Sequence, residues 1–224
     1  GARRLVAPVT ALLSVLLLLG APLFVRLASA AMNDLFVTAF FLAALDLVFR
    51  ISRAPSTGRA ILLGLCVGCG LVSKYTMAIA CPVLAAAAIH EGTLWSRRRE
   101  WAIGVVVATA IAGAWVLLGR RIGVFEGQGE WFDEMARTST KSSFGFHYAL
   151  DAVFTKLPSG LGVYQLPVLA GGVVAFARSG GATARMLAAW IALVSLPLLL
   201  TLPDNRYFLP AYPALAIVAA RGTA

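Results

Sequence analysis

The sequence contains few charged residues and few cysteines, and each scarcity excludes a class of protein. Charged side chains make up 13% of the 224 residues and hydrophobic ones 60%, a composition that few soluble domains could bury. Three cysteines cannot provide a disulfide framework. The sequence also lacks a P-loop, a dinucleotide-binding fingerprint, the G-x-S-x-G and H-E-x-x-H motifs, and any RNA- or DNA-binding motif. The scarcity of charge and the excess of apolar side chains favour an integral membrane protein.

The sequence consists largely of long apolar segments. They are continuous rather than alternating, which favours helices over a barrel. With no internal repeat or low-complexity tract, we predict one all-α, polytopic transmembrane bundle over residues 1–224, with a polar outer segment at 119–160 and an interfacial helix near 130–141. The eight predicted spans are Leu5–Val25, Leu35–Phe49, Ala60–Ser73, Thr76–Ile89, Trp101–Leu118, Leu161–Ala177, Met186–Leu202 and Tyr207–Ala220.

The links between these spans predict the orientation. If the N-terminus is cytoplasmic, the cytoplasmic links carry eleven basic and three acidic residues, and the other side carries eight basic and seven acidic. Almost all of the net charge of +9 is then a cytoplasmic excess, as the positive-inside rule expects. The basic composition therefore follows from topology rather than from nucleic-acid binding.

Two features of the chain leave alternatives open. Residues 60–89 form either one long tilted helix or two short ones, and the charge pattern favours two, with Lys74 at an outer turn. Arg3–Arg4, the leucine run and Ala28-Ser29-Ala30 imitate a cleaved signal peptide, but the run is long for one and more spans follow. Because the chain begins at Gly1 with an immediate span, we expect a fragment of a longer protein.

Three polar positions at the outer ends of spans are candidates for chemistry. Asp34 is either the cap of a helix N-terminus or a carboxylate that binds a metal or an acceptor from an outer cavity. Lys74 is either a snorkelling lysine or a cation for a phosphate, with Tyr75 beside it as a further hydrogen-bonding group. Arg206, next to Tyr207, either pairs with a neighbouring acid or grips a phosphate. Together they suit an anionic, lipid-linked substrate.

Other polar residues give weaker signals. His147 lies four residues before an aspartate, so a structural pair is favoured over a catalytic one. Asp46 lies four residues before Arg50, which predicts a local ion pair. Cys66 and Cys69 have C-x-x-C spacing within an apolar span, where small packing residues are favoured over redox or zinc chemistry. In the same span the G-x-x-x-G spacing predicts a close helix contact.

Three sequence pieces resemble a known family. They are the loop from Arg26 to Asp34, the stretch GLCVGCGLVSKYT at 64–76, and RYFLPAYPALA at 206–216. The chain resembles the dolichyl-phosphate-mannose–protein mannosyltransferase family (glycosyltransferase family 39) and its bacterial relatives, including the aminoarabinose transferases of lipid A. The resemblance runs over most of the chain, although only the second and third pieces are moderately specific.

The resemblance implies a C-type glycosyltransferase fold and a membrane enzyme. Such an enzyme moves a sugar from a polyprenyl-phosphate donor to a lipid, glycan or protein acceptor on the extracytoplasmic side of a membrane, here the bacterial inner membrane. It implies donor-phosphate binding by Lys74, Arg206 and Tyr207, and a catalytic role for Asp34 through the acceptor or a divalent metal. Tyr75 and His147 are candidate acceptor or loop contacts.

The sequence departs from the family at one point and leaves two rival functions open. Nothing here matches the first acidic outer loop that carries the expected general base, so we expect the isolated fragment to be inactive. A lipid flippase or transporter would place polar residues near the bilayer midplane in a repeated fold, and neither feature is present in the sequence. A non-catalytic membrane scaffold is the other rival.

Overall fold

A computed structural model describes residues 7–29, 33–74, 76–123, 154–155, 157–179, 181–201 and 205–221. Every regular element in these ranges is helical, which confirms the all-α prediction. The α-helices are α1 (Pro8–Leu19), α2 (Pro22–Ser29), α3 (Asn33–Arg53), α4 (Thr57–Ser73), α5 (Thr76–His90), α6 (Arg98–Arg121), α7 (Leu157–Leu161), α8 (Leu166–Ser179), α9 (Ala182–Thr201) and α10 (Tyr212–Arg221), with 3₁₀ segments at Val163–Gln165 and Asn205–Ala211. Most of the polar outer segment, including the predicted interfacial helix, lies outside the described residues.

Helices α3, α4 and α5 alternate in direction between the same two ends of the bundle. At one end, the first turn of α3 meets the end of α4 through an Asp34–Lys74 ion pair. At the other end, Arg59 of α4 donates to the carbonyl of Arg50 over 3.3 Å, and the Ser52 hydroxyl lies 3.2 Å from that of Thr93, just beyond α5. We call these the Lys74 end and the Arg50 end. The open question about residues 60–89 is therefore answered: they form two helices, broken at Lys74.

Two glycines bring α4 against α6. A Cβ added to Gly64 would lie 2.5 Å from the carbonyl oxygen of Gly104, and one added to Gly68 would lie 2.9 Å from the Cβ of Ile111. Higher numbers in α4 meet higher numbers in α6, so these two helices run parallel. The close contact predicted from the G-x-x-x-G spacing is confirmed, because only a residue without a side chain lets the backbones approach so closely.

Fewer helices than predicted are long enough to span a membrane by themselves. Among the described residues, α3 and α6 pass a length and composition test, and α1 with α2 would be a third span bent by 66°. The predicted count of about eight spans is not confirmed, since α4 has 17 residues and α5 has 15. A straight helix needs about 20 residues to cross a bilayer core.

The first predicted span, Leu5–Val25, was wrong as one continuous helix. The chain bends between α1 and α2, where Pro22 opens α2 because proline has no N–H to continue a helix. The carbonyl groups released at the bend find new donors: Gln165 Nε2 donates to the Leu17 carbonyl over 2.9 Å, and the Tyr164 hydroxyl donates to that of Gly20. Two side chains of the 3₁₀ segment Val163–Gln165 thus donate hydrogen bonds to the free carbonyl groups at the bend.

One tryptophan links α3 to both α9 and the 3₁₀ segment Asn205–Ala211 in the C-terminal part of the bundle. Trp190 of α9 is 2% exposed and its ring lies edge-on to Phe41 of α3, with centroids 5.3 Å apart. Its indole N–H donates to the Pro210 carbonyl over 2.9 Å. The predicted last span, Tyr207–Ala220, is divided here into a 3₁₀ segment and α10, because Pro210 interrupts regular helical bonding and Pro213 fits the first turn of α10.

We predict that Gly64→Ala lowers the free energy of unfolding by about 1–3 kcal/mol, because its Cβ overpacks the α4–α6 contact. Gly58→Ala is the matched control in the same helix, since a Cβ there meets no atom within 4 Å. It should stabilise the protein by up to about 1 kcal/mol through helix propensity. Thermal unfolding of both variants in detergent tests this, and equal midpoints would contradict the close contact.

Candidate functional site

Asp34 is a buried carboxylate in the first turn of α3. Its side chain is 4% exposed, and its backbone carbonyl accepts a 2.8 Å hydrogen bond from the Thr38 hydroxyl. A negative charge is favourable at this position because the free N–H groups of a helix N-terminus carry a partial positive charge. The helix therefore supports the carboxylate but provides no countercharge for it.

Lys74 lies where α4 stops and α5 starts. Its backbone is extended, with φ −169° and ψ 141°, and its N–H donates to the Gly70 carbonyl over 3.0 Å. Its own carbonyl accepts from the Met77 N–H over 3.1 Å. One residue thus terminates α4 and opens α5, and its positive charge lies beside the partially negative C-terminus of α4.

The two side chains form a buried ion pair. Lys74 Nζ lies 2.6 Å from Asp34 Oδ1, and the lysine side chain is 17% exposed. A buried charge is costly unless it is paired, so each group requires the other. An ammonium has three N–H donors in a tetrahedral arrangement, and one of them is directed at Asp34. The arrangement fixes a cation at the meeting point of three helix ends.

The other predicted site residues are only partly described. Arg206 and Tyr207 belong to the 3₁₀ segment Asn205–Ala211, which packs against α3 and α9, but their side chains lie outside the described part of the structure. Tyr75 and His147 lie outside the described residues altogether. The structure therefore brings together two of the predicted residues, Asp34 and Lys74, and places the backbone of a third, Arg206, in a segment that packs on α3.

The weaker sequence signals behave as packing and surface features. Asp46 and Arg50 form the predicted local pair, at 2.5 Å, with both side chains more than half exposed. Cys66 and Cys69 are not joined by a disulfide and are half-buried within α4. Among the described residues, no three histidine, cysteine or acidic side chains lie together as a metal site would require.

Sequence reasoning missed that Asp34 and Lys74 contact each other directly. The available signal was the hairpin itself. A 21-residue α3 joined by three residues to a 17-residue α4 returns the chain close to where it started. Opposite charges 40 residues apart at the two open ends of such a hairpin are expected to meet. It also missed Trp190, which joins the 206–216 sequence to α3 through the Pro210 carbonyl.

Comparison with known proteins identifies a class and then a family. The architecture and the apolar helices are those of an integral membrane protein, and the family match adds a general glycosyltransferase role. The model of the dolichyl-phosphate-mannose-protein mannosyltransferase family matches residues 1–117, from before α1 to the last turns of α6. Because this is more than half of the chain, the protein belongs to that family. No curated protein and no solved structure matches the chain.

The family match covers Asp34 and Lys74 but not the C-terminal candidates. Both members of the buried pair lie well inside residues 1–117, whereas His147, Arg206 and Tyr207 lie beyond the matched segment. The ion pair is therefore the part of the candidate site on which the family match and the described geometry coincide.

We predict that removing either partner of the buried pair destabilises the protein by about 3–5 kcal/mol, because one charge is left uncompensated. Asp34→Asn and Lys74→Met are the single changes, and the double variant should lose clearly less than their sum. The exposed Asp46–Arg50 pair is the control, with Asp46→Asn expected to cost at most about 1 kcal/mol. Unfolding in detergent measures all four, and additive losses at Asp34 and Lys74 would contradict the coupling.

Proposed function

We propose that this protein transfers a sugar from a polyprenyl-phosphate-linked donor to a lipid, glycan or protein acceptor on the extracytoplasmic side of the bacterial inner membrane. The observation that carries the proposal is the buried Asp34–Lys74 pair at the junction of α3, α4 and α5. It lies within the segment that matches a glycosyltransferase family. A charge held rigidly by a buried partner is a preorganised electrostatic element of the kind that catalytic sites use.

Lys74 and Arg206 are the proposed donor-phosphate ligands. During transfer the bond between the anomeric carbon and the phosphate oxygen breaks, and negative charge develops on the leaving polyprenyl phosphate. A cation held rigidly beside that oxygen stabilises the charge without reorganisation, which is usually the largest catalytic term. The pairing of Lys74 with Asp34 supplies this rigidity, and Arg206, with Tyr207 beside it, adds a planar fork suited to phosphate oxygens.

Asp34 is the proposed catalytic carboxylate. An acceptor hydroxyl oxygen forms the new bond to the anomeric carbon, and its proton passes to a general base, the role expected of the family's first acidic outer loop, for which this sequence has no match. In this reading Asp34 has two tasks, since it orients Lys74 and contacts the acceptor. Asp34 is also the candidate ligand for a divalent metal, and Tyr75 and His147 are candidate acceptor contacts.

The distribution of arginines supports the proposed side of the membrane for the candidate site. At the Arg50 end of the α3–α6 bundle lie Arg50, Arg53, Arg59 and the run Arg97–Arg99. By the positive-inside rule this end faces the cytoplasm. The Lys74 end, with the candidate site, then faces the opposite side, where a lipid-linked donor presents its phosphate at the membrane surface.

We predict that Lys74→Met and Arg206→Ala in the full-length protein each lower the transfer rate on the order of 10²-fold or more, by analogy with losing one oxyanion donor. Membranes containing each variant are incubated with labelled polyprenyl-phosphate sugar, and product is counted per folded protein. Lys74→Arg should retain more rate than Lys74→Met because it keeps the charge. Arg185→Met, an exposed cation at the start of α9, is the control and should leave the rate unchanged.

The same assay separates the rival functions. An enzyme consumes the donor and makes a glycosylated product, a flippase moves the donor without consuming it, and a scaffold does neither. Parental transfer rates in Lys74→Met and Arg206→Ala would contradict the assigned roles, and donor movement without consumption would favour the transporter.

A further inference from the structure

A long apolar groove separates α6 from α5 and part of α4. Its volume is about 800 Å³, and nearly all of its lining is aliphatic or aromatic. Representative lining residues are Leu63, Leu84, Ala108, Ala112 and Val116. A Cβ added to Gly113 would meet no atom within 4 Å, so part of the groove is open space. This volume lies in the range of ligand sites rather than of packing defects.

The groove has a distinctive polar boundary at the Arg50 end. Trp101 lines it there, and Arg97 lies one helical turn earlier. Arg97 Nε and Trp101 Nε1 are both buried and have no hydrogen-bond acceptor among the described residues. Buried donors are almost always satisfied, so these two N–H groups, one turn apart, mark a polar spot at the end of the groove for which the described residues supply no acceptor.

The excess of positive charge at this end of the groove favours an anionic ligand. Arg97, Arg98 and Arg99 are consecutive, and Arg59 of α4 lies at the same end. The acidic residues close by in sequence are Glu91 and Glu100, so the balance there is positive. The exposed guanidinium groups of Arg98 and Arg99 suit phosphate oxygens, and basic residues at a membrane surface attract anionic lipids.

We propose that this groove binds an anionic glycerophospholipid, with its phosphate at the basic run Arg97–Arg99 beside Trp101 and an acyl chain along α6. The distance from Trp101 to Leu117 along the helix is about 24 Å at 1.5 Å per residue, so the groove accommodates a chain that crosses half of a ~30 Å core. The site lies at the opposite end of the bundle from Asp34 and Lys74. It therefore stands independently of the proposed transfer reaction.

Photo-crosslinking tests the site directly. Full-length protein in nanodiscs is exposed to phosphatidylglycerol that carries a photoactivatable group in its acyl chain, and crosslinked peptides are mapped. Label should concentrate on the groove face of α6, around Ala108 and Ala112, rather than on its exposed Val106 face. Phosphatidylcholine with the same chain should label the groove at least about fivefold less, as expected for one lost headgroup charge interaction.

Three variants distinguish a site from general lipid contact. Arg97→Gln with Arg98→Gln should strongly reduce the preference for phosphatidylglycerol. Ala112→Phe fills the groove and should reduce its label, whereas Ala114→Phe, on an exposed part of the same helix, should leave it unchanged. Thermal unfolding verifies that each variant is folded, and a misfolded Ala112→Phe is replaced by Gly113→Leu, which enters open space.

Two results would overturn the proposal. Equal labelling by the two lipids, with no change in any variant, would mean that the groove holds ordinary surrounding lipid. Displacement of phosphatidylglycerol by a polyprenyl phosphate, without dependence on Arg97, would assign the groove to an isoprenoid chain instead.

Discussion

The cost of burying a charge is the constraint on which the described bundle depends. Asp34 is almost inaccessible to solvent, and a carboxylate in that position requires a cation within contact distance. Lys74 supplies it only if α4 ends level with the first turn of α3 and α5 starts at once beside it. The ion pair thus couples the positions of three helix ends. A cation held in this way is pre-organised, because moving it would leave a buried carboxylate unpaired at a cost in free energy, and this supports the proposed role of Lys74.

Helices are interrupted at three places in the described structure. At each of them, hydrogen bonds within the protein are made to backbone groups of the irregular segment. The bend after α1 is covered by Tyr164 and Gln165, the break at Lys74 by hydrogen bonds to Gly70 and from Met77, and the 3₁₀ segment before α10 by Trp190. Irregular backbone at membrane depth is tolerated where other parts of the protein satisfy it. Two of these three interruptions lie in or beside candidate site residues, Lys74 and Arg206. Lys74 and Arg206, two of the candidate site residues, thus lie in irregular segments rather than within regular helices.

Much of the fold could be predicted from sequence because apolar periodicity and glycine spacing are local signals. The helices near Leu35–Phe49 and Trp101–Leu118, and the glycine contact at Gly64, depend on such signals. The bend at Pro22 was missed because a leucine-rich run hides the proline signal within an apparently continuous span. The direct contact of Asp34 with Lys74 was missed because it depends on the relative lengths of two helices, a property of the tertiary structure. The number of membrane crossings is not settled by the helix lengths, since α4 and α5 are short yet run between the same two ends of the bundle.

The central proposal is that Lys74, held by Asp34, and Arg206 bind one donor phosphate in a shared extracytoplasmic pocket, and labelling from one side of the membrane tests it most directly. Cysteines are placed singly at Ser73, which leaves the ion pair intact, and at Asn205, which leaves Arg206 in place, in a background without Cys66, Cys69 and Cys81. We expect both to react with a membrane-impermeant maleimide added outside intact cells, and both to be protected by polyprenyl phosphate. Reaction of the two positions from opposite faces of the membrane would contradict the shared pocket.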